Sequence, residues 1–274
     1  MLKIKEYVKA ESLAQAYELN QKRANRIIGG MLWLKMSSAQ IHTAIDLSGL
    51  GLDEIEETEE EFRIGCMVTL RDLELHPGLE QWSGGTVRES VRGIVGVQFR
   101  NLATVGGSLF GRYGFSDVLT SFLALHTDVE LYQGGRISLS EFVQRKPDND
   151  ILVRVIVKKT AGEHVYLSYR NTKTDFPVIT VAASAYENEL RIVSGARPQR
   201  AILIPDCGYA GRLKEACGEE ELEALAEEIA EKIPMGSNMR AGAGYRSHLA
   251  KVLLKRGFIV LNGKIKERGI QDAD

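Results

Sequence analysis

The opening residues, Leu2 to Tyr7, read as a strand, and a helical spacing begins at Ser12, with Leu13, Ala16, Tyr17 and Leu19 on one face. A short apolar run, Arg26-Ile27-Ile28, stops abruptly at Gly29-Gly30, and another strand is expected before Asp46-Leu47. The order is strand, helix, strand, with a loop of small residues at a strand end. The acidic stretch Asp53 to Glu61 then breaks the apolar pattern, as a linker or as the turn before a strand at Phe62 to Gly65. It is taken as the first domain boundary.

From Phe62 to Lys159 short strands mix with helical segments, including Asp117 to Leu125, Val129 to Tyr132 and Ile151 to Val157, with a turn at Gly134-Gly135. Alternating strands follow at His164 to Arg170, Val178 to Tyr186 and Leu190 to Gly195, the last two joined at Glu187-Asn188. Helices close the chain. Leu222, Leu225, Ile229 and Ile233 have helical spacing in Glu219 to Lys232, whose acidic face is expected to be solvated. A final helix is expected over Gly244 to Arg256, and a loose polar tail after Asn262.

Composition narrows the function classes. The 274 residues are 44% apolar and 26% charged, as in an ordinary globular protein, and the net charge of −2 gives no reason to expect nucleic acid or an anionic membrane as partner. No apolar run approaches the ~20 residues of a membrane helix, and MLKIKEYVKA lacks the basic and apolar regions of a signal peptide, so a cytoplasmic location is expected. The three cysteines, Cys66, Cys207 and Cys217, form no C-x-x-C pair. The five histidines show neither metal-ligand spacing nor a neighbouring Ser or Cys nucleophile motif, so no metal site and no side-chain nucleophile is expected.

The candidate chemistry lies in two glycine loops, Ile27-Ile28-Gly29-Gly30-Met31 and Asn101-Leu102-Ala103-Thr104-Val105-Gly106-Gly107-Ser108-Leu109. Consecutive glycines remove Cβ atoms where backbone approaches a ligand and allow positive φ, a combination that suits a phosphate or pyrophosphate. Either pair alone could be a tight turn. Neither loop matches G-x-x-x-x-G-K-S/T or G-x-G-x-x-G.

The longer segment RNLATVGGSLFGRYGFSDVL resembles the R-N-x-A-T-I/V-G-G…S-D signature of the flavin-binding medium subunits of molybdenum hydroxylases, the family of xanthine dehydrogenase and aerobic carbon monoxide dehydrogenase. The resemblance extends to Ile27-Ile28-Gly29-Gly30, to Arg63-Ile64-Gly65, and to Arg240-Ala241 with Tyr245-Arg246. It implies an α+β protein with a vanillyl-alcohol-oxidase (PCMH)-type FAD-binding fold. Two α/β subdomains (1–55 and 56–160) would hold the dinucleotide. A C-terminal domain like that of the carbon monoxide dehydrogenase flavoprotein (161–265), with a three-stranded antiparallel sheet and a helical bundle, and a polar tail (266–274) would complete the chain.

Carried onto this sequence, the resemblance implies that Ile27, Ile28, Gly29, Gly30, Met31 and Leu32 wrap the FAD pyrophosphate and that Thr104, Gly106, Gly107 and Ser108 face it, largely through backbone N–H groups. Ser116 and Asp117 would meet the ribityl and ribose end, with a helix N-cap as the alternative role for Asp117. Ile151 and Leu152 would offer an apolar edge, and Tyr169 could shield a flavin face, though both would look the same as core residues. Arg100 and Arg170 are expected to be structural ion-pair partners.

The implied function is electron transfer. A small subunit with two 2Fe–2S clusters and a large molybdopterin subunit would feed the FAD, which would reduce NAD⁺ or another acceptor. Met31-Leu32 stand where relatives carry polar residues, and Arg112 is expected to offset that loss by pairing with the pyrophosphate. The alternatives are an assembly subunit without FAD and a stand-alone flavin oxidoreductase.

Overall fold

The computed structural model describes residues 1–271 and separates into two compact units. The first comprises Met1–Leu75, Val95–Gly111 and Thr127–Lys158; the second comprises His76–Ile94, Arg112–His126 and the chain from Lys159 onward.

The first unit holds two sheets. Strands β1 (Lys3–Lys9), β2 (Arg26–Ile28) and β3 (Gln40–Asp46) form a parallel sheet in the order β1-β3-β2. Parallel neighbours require a crossover, and the helix Leu13–Asn20 supplies the first. Ser12 caps that helix by accepting the Gln15 N–H at 3.1 Å. The second sheet contains β4 (Ile55–Glu57), β5 (Glu61–Gly65), β6 (Thr127–Leu131), β7 (Gly135–Ser138) and β8 (Leu152–Lys158) in the antiparallel order β4-β5-β8-β6-β7. Part of the acidic stretch is therefore a strand, because Ile55–Glu57 pairs with Phe62–Ile64. Phe62, Ile64, Val129, Val155 and Val157 are fully buried and form the core of this sheet.

The second unit is built on β9 (Glu163–Arg170), β10 (Pro177–Ala185), β11 (Leu190–Gly195) and β12 (Ile202–Ile204), antiparallel in the order β12-β11-β10-β9. A short fourth strand thus extends the three expected. All nine residues of β10 are buried, because helices cover both faces of the sheet. Ile179, Val181, Ala183 and Ala185 join Leu225, Ile229, Leu253 and Phe258 of the C-terminal helices. The alternate residue Thr180 meets Thr120 of the helix Asp117–Ala124, with hydroxyl oxygens 3.0 Å apart.

Two expectations for the C-terminal helices change. The final helix runs from Ala243 to Gln271, beyond Arg256, because Phe258 and Leu261 are buried and Ile265 continues the apolar stripe. Residues 272–274 of the expected tail lie outside the described residues. The acidic face of Glu219–Glu231 is not simply solvated: Glu223 and Glu227 pair with Lys255 and Lys251 of the final helix at 2.7 and 2.8 Å.

His164 is 2% exposed, between the rings of Trp82 (5.0 Å) and Tyr186 (5.7 Å), and neither ring nitrogen has a hydrogen-bond partner among the described residues. Burial, reinforced by the charges of Lys264 and His126, pushes its pKa down to about 4. The unfolded chain therefore takes up this proton at a higher pH than the folded one. Stability is expected to fall by about 3 kcal/mol as the pH drops from about 6.5 to about 4. Urea unfolding of the native chain and of His164→Phe across this range checks the assignment; an identical pH slope in the two would refute it.

Candidate functional site

In the first unit, β2 ends at the buried Ile28, next to the half-buried Ile27, and leads directly into Gly29 and Gly30. The second loop is delivered by Arg100, whose guanidinium grips the buried Glu74 at 2.8 and 3.2 Å. Burial pushes the Glu74 carboxyl up, but Arg100 and Arg71 outweigh it and hold the group below its usual range. Arg100 is the structural ion-pair partner expected.

The two loops meet backbone to backbone. A Cβ on Gly29 would stand 2.7 Å from the Thr104 hydroxyl, and one on Gly30 would overlap the Leu102 carbonyl oxygen at 1.8 Å. Both glycines are there for close approach. The left-handed residue is instead Met31, with φ 56°, a conformation that costs an L-residue about 1–2 kcal/mol. Among the described residues, no protein acceptor takes the backbone N–H groups of Gly29, Gly30, Met31 or Leu32.

The amides of the second loop are already engaged. Val105 N–H donates to the Val68 carbonyl, Gly106 to Cys66, and Ser108 to Thr104, at 2.8–3.0 Å, while Gly107 donates to Thr104 Oγ1 at 3.1 Å. The expectation of backbone donors from both loops is therefore corrected to donors from the first. From the second loop comes the Thr104 hydroxyl, which accepts from Gly107 and retains its own proton to donate. Gly106 is a packing glycine, since its Cβ would stand 2.7 Å from the Cys66 carbonyl oxygen. Burial pushes the Cys66 thiol up to about 12, so it is no nucleophile at neutral pH.

Ile151 and Leu152, where β8 begins, are buried, with Leu152 opposite Leu131. In the second unit Ser116 caps the helix Asp117–Ala124 by accepting the Leu119 N–H at 3.1 Å, so the N-cap is Ser116 rather than Asp117. Asp117 is 4% exposed, and its Oδ1 accepts from Arg170 at 2.5 Å and from the Tyr166 hydroxyl. That oxygen is thus held inside the unit rather than offered to a sugar. Burial works against the Arg170 charge, but the Asp117 carboxylate outweighs it and raises the guanidinium pKa. Arg112 is buried in this unit with φ 47°. Tyr169, next to Arg170 on β9, is 36% exposed, its ring perpendicular to that of Tyr245 at 6.1 Å.

The sequence reading singled out neither member of one aromatic pair: Trp33 meets the ring of Phe99 edge-on at 5.6 Å. Each ring lies within five residues of a glycine loop, and that proximity was the available signal. Among the described residues there is no cluster of His, Cys, Asp or Glu arranged to hold a metal ion, and no helix long and apolar enough to cross a membrane. The first unit has the chemistry of a diphosphate cradle: unengaged amides, a hydroxyl, and no side chain where the loops touch.

Comparison with known proteins agrees. Residues 2–159 match the family described as the FAD binding domain in molybdopterin dehydrogenase, and residues 164–261 match the CO dehydrogenase flavoprotein C-terminal domain. The chain is similar to the Escherichia coli protein named Uncharacterized protein YgfM, at 22% identity over 92% of this chain and 94% of that one. A shorter stretch, 93 residues covering 32% of this chain and 29% of the other, is 38% identical to the aldehyde oxidoreductase FAD-binding subunit PaoB of E. coli. The fold is shared with quinoline 2-oxidoreductase from Pseudomonas putida 86 (TM-score 0.81, 19% identity, 97% and 98% coverage). It is also shared with the reconstituted CO dehydrogenase from Oligotropha carboxidovorans (TM-score 0.80, 21% identity, 96% and 98% coverage). With two family domains spanning nearly all of its length, the chain belongs to the FAD-binding flavoprotein subunits of the molybdenum hydroxylases.

Proposed function

We propose that this chain holds FAD and passes electrons through it within a multi-subunit molybdenum hydroxylase. The carrying observation is the contact of Gly29-Gly30 with Leu102–Thr104, which leaves four amides of the first loop unengaged beside the Thr104 hydroxyl. In this reading the Gly29, Gly30, Met31 and Leu32 N–H groups and Thr104 Oγ1 bind the pyrophosphate. Ile27 and Ile28 anchor the first loop in its sheet, while Gly106, Gly107 and Ser108 keep the second loop close to it. Ile151 and Leu152 back the site with apolar surface. Ser116 and Tyr169 are assigned toward the cofactor on family resemblance alone, and Asp117 as a positioning residue that fixes Arg170 and Tyr166.

FAD, when bound, supplies exchange between one-electron and two-electron carriers, and the protein supplies position and electrostatics. Backbone donors hold the diphosphate without a side-chain charge, so the site needs no titrating group near neutral pH. An iron–sulfur subunit with two 2Fe–2S clusters and a molybdopterin subunit are the proposed partners, and NAD⁺ is the proposed acceptor. The naming of PaoB as the FAD-binding subunit of an aldehyde oxidoreductase supports this division of labour. The domain limits proposed are 1–55, 56–160 and 161–265. A second reading, an assembly subunit without FAD, is favoured only by the apolar Met31-Leu32.

The purified chain is expected to be yellow, with one FAD per chain and flavin bands in its absorbance. A colourless chain that takes up no added FAD would support the scaffold reading instead. Reduction of the flavin is expected to require the iron–sulfur partner, so direct reduction of the isolated chain by a small organic substrate would contradict the carrier role. Gly30→Ala is expected to lower stability by about 1–3 kcal/mol and to release FAD. Gly211→Ala, where nothing lies within 4 Å of the added Cβ, should do neither. Thermal melting with and without FAD reads both variants, and equal melting of Gly30→Ala and the native chain would refute the contact.

A further inference from the structure

The final helix, Ala243–Gln271, packs its buried side against the sheet of the second unit and the helix Glu219–Glu231. Its outer side is not polar throughout. Tyr245, Val252, Arg256, Ile259 and Gly263 recur at intervals of seven, four, three and four residues. At 3.6 residues per turn they align in a strip about 60° wide and about 27 Å long. Tyr245, Arg256 and Ile259 are exposed, Val252 and Gly263 are half-buried, and the exposed Val260 lies at the edge. Such spacing makes the seam on which helices pair. A Cβ added at Gly263 would meet nothing within 4 Å, so the strip ends in a notch open to a neighbour.

Charge decides what fits the strip. Every other Arg and Lys between Ala243 and Lys266 is engaged within the unit: Lys251 and Lys255 hold Glu227 and Glu223, Lys264 and Lys266 donate to the His164 and Ala216 carbonyls, and Arg246 donates to backbone carbonyls. Arg256 has no partner among the described residues. An unmatched cation in the middle of an apolar strip argues against a second copy of this chain, because symmetry would bring Arg256 against Arg256 in a desolvated contact with no counter-charge. It fits a partner with a carboxylate at that point and apolar side chains on either side.

We infer that this strip docks an amphipathic helix of a partner subunit, whose carboxylate pairs with Arg256 while its apolar positions pack on Val252 and Ile259. The inference rests on the multi-subunit reading above.

The test uses the chain assembled with its iron–sulfur and molybdopterin subunits. A photo-crosslinking benzoylphenylalanine in place of Ile259 is expected to capture a partner-subunit peptide with an Asp or Glu within about one helical turn of the linked residue. Arg256→Glu should weaken assembly about tenfold or more in calorimetry, with thermal melting and FAD content unchanged, and a Lys at the captured carboxylate should restore it. Lys146→Glu, a charge reversal at an exposed lysine of the first unit, should not weaken assembly. Native assembly by Arg256→Glu, equal weakening by Lys146→Glu, a cross-link to a second copy, or no cross-link within an assembled complex would overturn the docking strip and leave the FAD reading standing. A native chain that binds FAD but associates with neither subunit overturns the multi-subunit reading and the strip with it.

Discussion

The contact between Gly30 and the Leu102 carbonyl is the constraint on which the first unit's site depends. A carbonyl oxygen that sits where a Cβ would be, 1.8 Å away, admits glycine only and sets the spacing of the two loops. Gly29 repeats the condition against Thr104, and Gly106 repeats it one layer deeper against Cys66. Three close approaches in one region make a cradle out of backbone. Among the described residues the amides of its first loop, Gly29 to Leu32, have no protein acceptor, whereas those of the second are bonded within the unit.

The second unit is organised around a different interaction. Asp117, at the first turn of a buried helix, is matched by Arg170 and Tyr166 from the same strand. Burial and the Asp117 carboxylate push the Tyr166 hydroxyl well above its usual range, so it remains a donor. An unpaired charge at this depth would cost several kcal/mol, about 3–5 on removal of one partner. The S-D pair of the signature therefore builds structure through two different side chains: Ser116 caps the helix, and Asp117 ties the helix to β9.

Much of this was legible in the chain itself, for identifiable reasons. Gly29-Gly30 and Gly106-Gly107 announce close approach because adjacent missing side chains are costly unless something fills the space. The Leu102 carbonyl was not legible, since backbone oxygens carry no residue identity. Nor was the left-handed Met31, because glycine beside it was the natural candidate for positive φ. Ser116 and Asp117 are both good caps, and only geometry separates them. The length of the final helix was hidden by Gly263, Lys264 and Lys266, which interrupt the eye though Phe258, Leu261 and Ile265 keep the stripe. Ile202–Ile204 is too short to register by alternation, and the pairing of Glu223 with Lys255 joins elements that sequence reading treats separately.

The proposed role of the Gly29 to Leu32 amides is to receive a diphosphate. Backbone amide NMR of the apo-chain titrated with ADP reads those groups one by one. Large downfield proton shifts at Gly29, Gly30 and Met31, with smaller ones at Gly106 and Gly107 whose amides are already bonded, are the expected result. Unmoved resonances at the first loop, at ADP concentrations that saturate binding measured by calorimetry, would contradict it.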